Sequence, residues 1–495
     1  MQRSELLGRA RAEYRAGEVA QASLTCVRVA ELSRAAGDVG MLADAAVVVR
    51  RPIDPVVRAR VHALAAEALA ALGDSDPVRS FRVRAQLDAT ADPFVTEESA
   101  LSGVDGDPEA AFLDLQARIG VLFAPGRAEL RLDLARQAID LGRRTANLEY
   151  EAWGRRWRMD AWATLGRYAE LQDELSAAES LAERLGPDWQ SLLLLTRASD
   201  QLRRGFFEEA ARLADAARDV GREGGEAGYL HLVYAFQVAK ETGRDIDKVT
   251  AEVARAVDGM PFHARNWLCL ALVAAGRLDE AAELWHALAP HVLRIPPHAP
   301  EFLIALAGIA EVCAALHDTT TAEEVYRLML PCDGLHAIGH AHAPYNCPVA
   351  LALGRLASLT GRTEEARRHL TDALDAARRV EARPRVAEAH FELARLAGSR
   401  TRAGRDHADA ALQLARRLGM SPLAVTVEAW AGETLTLRES EIAGLVAEGL
   451  TNGRIAARLT LSERTVENHV SRILHKLMLD SRTALAVWYR SRRPS

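Results

Sequence analysis

Lysine is nearly absent. Lys and Arg together number 62, yet the only lysines are Lys240, Lys248 and Lys476. None follows a glycine, so the chain has no Gly-Lys-Ser/Thr phosphate-binding loop. Aromatics are 5% of the chain, and Val/Ile/Thr runs of period two are almost missing, which argues against a sheet-based fold. The five cysteines (Cys26, Cys269, Cys313, Cys332, Cys347) are scattered, odd in number and never spaced as CxxC. They read as reduced thiols, not a disulfide framework. HExxH, GxSxG and GxGxxG are all absent, so neither an enzyme nor a cofactor is expected. The longest apolar run, Trp267 to Ala275, is about half of a bilayer span. The first residues, MQRSELLGRARAEYRAG, are charged and lack a signal-peptide core. These absences together predict a soluble cytoplasmic protein.

What is present favours helix. Alanine, leucine and arginine are abundant, and 49% hydrophobic with 26% charged residues is ordinary for a globular chain. The 495 residues are enough for two or more domains. The net charge of −6 is unevenly spread: Glu433 to Ser495 carries ten basic and seven acidic residues, the remainder 52 and 61. A basic tail on an acidic body is compatible with nucleic-acid binding by the tail.

A short pattern recurs in the body: Leu165-Gly166-Arg167-Tyr168-Ala169-Glu170, Arg204-Gly205-Phe206-Phe207-Glu208-Glu209-Ala210, Ala275-Gly276-Arg277-Leu278-Asp279-Glu280-Ala281 and Thr360-Gly361-Arg362-Thr363-Glu364-Glu365-Ala366. With the weaker copy Gly243-Arg244, the glycines stand 39, 38, 33 and 85 residues apart, and His317-Asp318 falls near the middle of the last gap. Each glycine suits the left-handed end of one helix, and the acids after it suit the start of the next. Ala281, Leu284, Trp285 and Leu288 then give a helical stripe. One such pair cannot bury its apolar face alone; stacked pairs can. The pattern loosely resembles tetratricopeptide repeats from Ala152 to Met420. Leu6 to Leu72 also reads as helical, without a clear phase. Asp92 to Pro108 and Pro290 to Pro300 read as loops.

Two side-chain groups invite functional readings. Trp153, Trp157 and Trp162 form an i, i+4 aromatic set, and packing between helices is favoured over a binding platform. Cys332, His336, His340, His342 and Cys347 are zinc-ligand types, but the surrounding glycines and prolines make this a loop of unfamiliar spacing, so no metal is expected.

The last sixty residues read as four short helices after a connector, residues 421–432, that has no clear stripe. The first opens with the capping box Thr436-Leu437-Arg438-Glu439, carries Ile442, Leu445 and Val446 inward, and ends at Gly449. The second follows Thr451 and turns Ile455, Ala456 and Leu459 inward. The third follows the N-cap Ser462, with the stripe Val466, Val470, Ile473, Leu474 and Leu477. The fourth starts after Ser481 and includes Ala484, Leu485 and Trp488. A short helix, the turn Thr460-Leu461-Ser462 and a longer helix make a helix-turn-helix unit, whose second helix would enter the major groove.

The run LTLRESEIAGLVAEGLTNGRIAARLTLSERTVENHVSRILHKLMLDSRTALAV resembles the LuxR-type DNA-binding domain. The matching pieces include Leu435-Thr436, Arg438-Glu439, Glu441, Gly449-Leu450, Asn452, Ile455-Ala456, Leu461-Ser462, Thr465-Val466, His469, Lys476-Leu477 and Ser481-Arg482. Gly444, Gly453 and Met478 depart from the family pattern. The resemblance implies base reading by Glu467, Asn468 and Ser471, where Asn pairs with adenine and Glu accepts from cytosine. It implies phosphate or groove contacts for Arg464, Thr465, Arg472 and Lys476, backbone contacts for Arg454 and Arg458, and dimerisation through Leu485 and Trp488. The stretch PVALALGRLASLTGRTEEARRHLTDALDAARRV resembles the helical region of large ATP-dependent LuxR regulators, whose NTPase module is missing.

The expectation is therefore an all-α fold: residues 1–420 a tetratricopeptide-like helical-repeat solenoid, 421–432 a linker and 433–495 a four-helix helix-turn-helix domain. The expected partners are double-stranded DNA, a second copy on DNA, and a peptide, protein or small-molecule effector in the solenoid. The alternative is a helical-repeat interaction scaffold with a weak or vestigial DNA-binding domain.

Overall fold

A computed structural model of the chain describes residues 2–50, 55–73, 75–90, 107–124, 126–221, 226–258, 264–399, 401–432, 435–477 and 479–491. Among these residues there are 26 α-helices and one two-stranded ladder, and no helix is long and apolar enough to cross a membrane. The chain divides into two compact units, Met1–Arg385 and Val386–Ser495.

The first unit opens with α1 (Gln2–Arg15), α2 (Val19–Ala35), α3 (Val39–Ala46), α4 (Pro55–Leu72), α5 (Pro77–Thr90), α6 (Pro108–Val121) and α7 (Ala128–Arg144). It continues through α8 (Leu148–Leu165), α9 (Tyr168–Leu185), α10 (Pro187–Arg204), α11 (Phe207–Val220), α12 (Glu226–Thr242) and α13 (Ile246–Val257). Then come α14 (Arg265–Ala274), α15 (Leu278–Val292), α16 (Phe302–Leu316), α17 (Thr319–Met329), α18 (Val349–Leu359) and α19 (Thr363–Arg379).

One turn joins most of these pairs. Gly166, Gly205, Gly276 and Gly361 all have φ between 72° and 84°, a region that costs glycine nothing. Each is followed by the same backbone bond, in which the residue after the glycine donates to a carbonyl five residues back. Examples are Arg167 to Trp162 at 2.8 Å and Arg277 to Leu272 at 2.9 Å. This bond occupies carbonyls that the helix end leaves unpaired. The gap around His317 is filled as its spacing predicts: His317 is left-handed at φ 57° and Asp318 donates to the Cys313 carbonyl at 3.0 Å. Asp318 then caps α17 and accepts from the indole of Trp285 at 2.9 Å, tying consecutive pairs together. The same bond recurs at Glu18, Asp38 and Asn147, so helix pairing extends upstream of Ala152.

The apolar stripes are buried as expected. Ala281, Trp285 and Leu288 lie in the core, each large one contributing roughly 1.5–3 kcal/mol by leaving water. Trp157 is buried, while Trp153 is half-buried with Trp189 edge-on at 5.5 Å and the Arg156 guanidinium at 5.0 Å. Arg158 lies 5.2 Å from the Trp162 ring. These are packing contacts.

Two expected loops differ. Pro290 lies inside α15, which runs on to Val292 before the chain turns. Of Asp92 to Pro108, residues 92–106 lie outside the described residues; Asp107 caps α6 and Pro108 begins it. Between α17 and α18 the cysteine- and histidine-bearing segment folds inward. Its strands β1 (His336–Ala337) and β2 (Cys347–Pro348) pair antiparallel, His336 opposite Pro348.

The second unit begins within α20 (Arg383–Ala397) and contains α21 (Arg402–Leu418), α22 (Ser421–Gly432), α23 (Leu437–Ala447), α24 (Asn452–Leu459), α25 (Glu463–Lys476) and α26 (Arg482–Ser491). Residues 421–432, expected as a linker, are therefore a helix. Pro422 sits in its first turn, where a missing N–H breaks no bond. Leu423, Val427 and Trp430, spaced four and three apart, pack against Phe391, Ala394, Ala408 and Ala411. That stripe is short, and a proline at one end with a glycine at the other disguises it.

Candidate nucleic-acid interface

The helix-turn-helix is built from capped ends inward. Thr436 accepts from the Glu439 N–H at 3.1 Å while the Glu439 carboxylate accepts from the Thr436 N–H at 2.8 Å, so the expected capping box opens α23. Thr451 caps α24, accepting from the Arg454 N–H. Ser462 stands before α25 and accepts from the Thr465 N–H at 3.1 Å. Between α24 and α25 the backbone reverses at Thr460, left-handed at φ 55°, and Leu461 donates to the Ala456 carbonyl at 2.9 Å.

One apolar cluster holds the helices together. Ile442, Ile455, Val466, Ile473 and Leu485 are each 0% exposed, with Val470 and Ala456 close behind. Leu461, Leu474, Leu477, Trp488 and Tyr489 pack around them. The buried side of α25 is thus its Val466–Val470–Ile473 stripe. Its opposite side carries Glu463, Arg464, Glu467, Asn468, Ser471 and Arg472, all exposed.

Internal bonds divide the cations of this domain into two groups. Lys476, expected at a phosphate, holds the buried Glu439 carboxylate, with Nζ 2.7 Å from both oxygens. Burial alone would raise the Glu439 pKa, but Lys476 and Thr436 outweigh it and hold the carboxyl below its ordinary value. Arg458 lies 3.5 Å from Glu448. Arg438 donates to the Leu459 carbonyl at 2.8 Å, closing the end of α24, and pairs with Glu441. Arg482 donates to the Asn452 side-chain oxygen at 2.6 Å and to the Leu450 carbonyl, and its burial lowers its pKa. By contrast, among the described residues Arg454, Arg464 and Arg472 have no carboxylate within 4.0 Å. Thr465 is half-buried and its hydroxyl lies 2.7 Å from Ser462 Oγ, so it serves the cap.

Leu485, expected at a dimer interface, is instead fully buried within the domain, and Trp488 packs inward beside it. The exposed apolar residue of α26 is Val487, 65% exposed. The bonds of Arg438 and Arg482, and the pairing of Glu439 with Lys476, are not legible in the sequence. Each belongs to a matched motif, but their partners are carbonyls and a lysine on other helices, which no spacing reveals.

One departure from the family pattern acquires a reason. A Cβ on Gly444 would lie 3.1 Å from the Tyr489 hydroxyl, so the ring of α26 occupies the space over α23. A Cβ on Gly453 would meet only the end of the Glu463 side chain at 3.4 Å, an ordinary contact, so nothing in the structure explains that glycine. Met478 lies outside the described residues.

Capped helices around one small core, a tight turn and an outward polar side on the second helix define a helix-turn-helix domain. Residues 433–489 match the model of the family described as bacterial regulatory proteins, luxR family; this segment is a LuxR-family helix-turn-helix domain. It is similar to the DNA-binding transcriptional activator DevR/DosR of Mycobacterium tuberculosis, 52% identical over 54 residues, 11% of this chain and 25% of that one. It is similar also to the nitrate/nitrite response regulator NarL of Escherichia coli, 48% over 59 residues, 12% of this chain and 27% of that one. The chain thus spans about a quarter of the length of these relatives. The Cut9-Hcn1 hetero-tetramer of the APC/C aligns over 99% of this chain and 96% of its own, at 14% identity and a TM-score of 0.44. A score that low adds nothing to the helix pairing described above.

Proposed function

We propose that the protein is a DNA-binding transcriptional regulator of the cytoplasm, in which residues 433–495 form the DNA-binding domain and α25 enters the major groove. The observation that carries this reading is the outward side of α25. Glu467, Asn468 and Ser471 are exposed together, flanked by Arg464 and Arg472 without carboxylate partners, on a helix whose other side is locked in a core. Glu467, Asn468 and Ser471 read base edges; Arg454, Arg464 and Arg472 meet phosphates. Two copies bind paired half-sites, with Val487 of α26 on the contact surface in place of Leu485. The helical pairs of the first unit take an effector.

Titration of the full chain with promoter duplexes by fluorescence anisotropy tests this. Asn468→Ala should change which sites are preferred, and Arg472→Ala should weaken all sites evenly. Site selection unchanged by Glu467→Ala, Asn468→Ala and Ser471→Ala together would remove the base-reading assignment. The scaffold reading draws on the engagement of Arg438, Arg458, Lys476 and Arg482 inside the domain. It predicts no saturable duplex binding even at low salt.

A further inference from the structure

The segment between α17 and α18 is nearly all buried from His336 to Pro348, yet it is not held as core segments usually are. Its bonds run from side chains of three separate helices to its main chain. Asp160 of α8, 1% exposed, accepts from the Ala341 N–H at 2.7 Å and from His340 Nδ1 at 3.0 Å. Ser199 of α10 donates to the Ala343 carbonyl at 2.7 Å. The Tyr234 hydroxyl of α12 sits 3.0 Å from the His342 carbonyl and 2.7 Å from that of Leu195. These helices are the first members of successive pairs. Gly166, at the end of α8, lies so close that a Cβ there would overlap His336.

We propose that the side formed by α8, α10 and α12 is a receptor for an extended polypeptide, and that residues 335–346 are its built-in occupant. Main-chain atoms read by fixed side chains make recognition tolerant of sequence, as in other peptide-binding grooves. Within the segment the ties are a two-residue ladder, the His336–Tyr345 bond of 2.9 Å and a turn in which the Ala343 N–H donates to the His340 carbonyl at 2.9 Å. Beside Ala341 and His342 the helices leave a small cleft of about 20 Å3, lined by Met159, Leu181, Trp189, Leu192 and Arg155. An external polypeptide would present an N–H to Asp160 and carbonyls to Ser199 and Tyr234, displacing the internal segment. This inference rests on the part of the proposal that gives the repeats a ligand, and is independent of DNA binding.

The test uses the full chain with Leu335–Asn346 replaced by glycine and serine at equal length, and a fluorescein-labelled peptide LHAIGHAHAPYN. Saturable binding to the replaced chain, about tenfold or more tighter than to the intact chain, is expected. Asp160→Asn in the replaced chain should weaken it about tenfold, the loss of charge-assisted hydrogen bonds. A folded replaced chain that ignores the peptide overturns the proposal, as does equal binding to the intact chain. Should replacement prevent folding, hydrogen exchange on the intact chain decides. Amides of residues 336–346 exchanging by local opening, faster than those of α10, support a displaceable occupant. Exchange only through global unfolding makes the segment ordinary core. Duplex binding, titrated separately, reports on the DNA reading alone.

Discussion

Within Met1–Arg385, one set of guanidinium groups is sealed against partners, while others, such as Arg144, Arg184 and Arg255, are exposed. Arg385 is buried against an equally buried Glu241, which Gln237 also bonds; Arg155 and Arg158 converge on the buried Glu174; Arg82 pairs with Asp107 and Glu109. On α25 of the second unit, Arg464 and Arg472 stand exposed with no carboxylate beside them. The chain is rich in arginine throughout, so composition alone does not separate these uses. An arginine whose donors are satisfied internally fixes packing between helices. One held outward on a rigid helix, without a partner, presents five donors and a charge to an external anion. The distinction between these two sets of arginines therefore lies in where the counter-charge comes from.

The largest effect should come from the sealed side. Arg385→Ala leaves Glu241 buried without its cation, which should cost about 3–5 kcal/mol. Urea unfolding of the full chain should show an early transition absent from the unsubstituted protein. A loss below about 1 kcal/mol, the level of surface pairs, would place this arginine with those of α25 and erase the contrast.

Next comes the open side. Arg464→Ala with Arg472→Ala should weaken duplex binding about ten- to hundredfold while leaving stability within about 0.5 kcal/mol. Three unpaired cations per copy, on the two copies proposed above, predict a slope of log K against log salt of about −5, its magnitude smaller by about 4 in the double variant. A slope that does not change would mean that other groups meet the phosphates.

Lys476 tests the boundary between the two classes. It was expected at a phosphate, yet it neutralises Glu439. Lys476→Met should destabilise the domain by about 1–2 kcal/mol, discounted because the lysine is partly exposed. The folded pKa of Glu439 is held below its ordinary 4.5. The pair's contribution is therefore full above that pH and is lost as pH falls through the folded value. The difference between Lys476→Met and the unsubstituted chain, followed by thermal melts from pH 7 to pH 3, should shrink below about 4.5. A difference independent of pH would mean that the lysine stem, not its charge, supports Glu439.

The sequence made local features legible and long-range ones opaque. Caps at Thr436, Thr451 and Ser462, the apolar stripe of α25 and the left-handed turn at His317 all depend on residues within five positions of each other, so their spacing is enough. The burial of Leu485 depends on how α26 lies against α23, with Tyr489 over Gly444, and the helical stripe suits either an inward or an outward face. The segment from His336 to Pro348 reads as a proline- and glycine-bearing loop because the groups that hold it, Asp160, Ser199 and Tyr234, lie more than a hundred residues upstream. Its histidines take separate partners: Asp160 for His340, Tyr345 for His336 and Arg156 for His342. Burial and nearby arginines push the His336 pKa down to about 4, leaving it neutral near pH 7.

Thr460 offers the smallest and most local change. It is exposed, β-branched and left-handed at φ 55° in the turn that sets the angle between α24 and α25, a conformation that costs an L-residue roughly 1–2 kcal/mol. The carbonyl bonds of this turn come from backbone N–H groups, so glycine keeps them. Thr460→Gly should remove the strain and return part of the gain as greater freedom of the unfolded chain, a net stabilisation of about 0.5–1 kcal/mol. It adds no charge and removes none, so duplex affinity and salt slope should stay as they were while the melting temperature of the domain rises. If affinity falls with no loss of stability, the strained threonine is itself positioning α25 on the groove, and the open side of the molecule depends on backbone strain as well as on unpaired arginines.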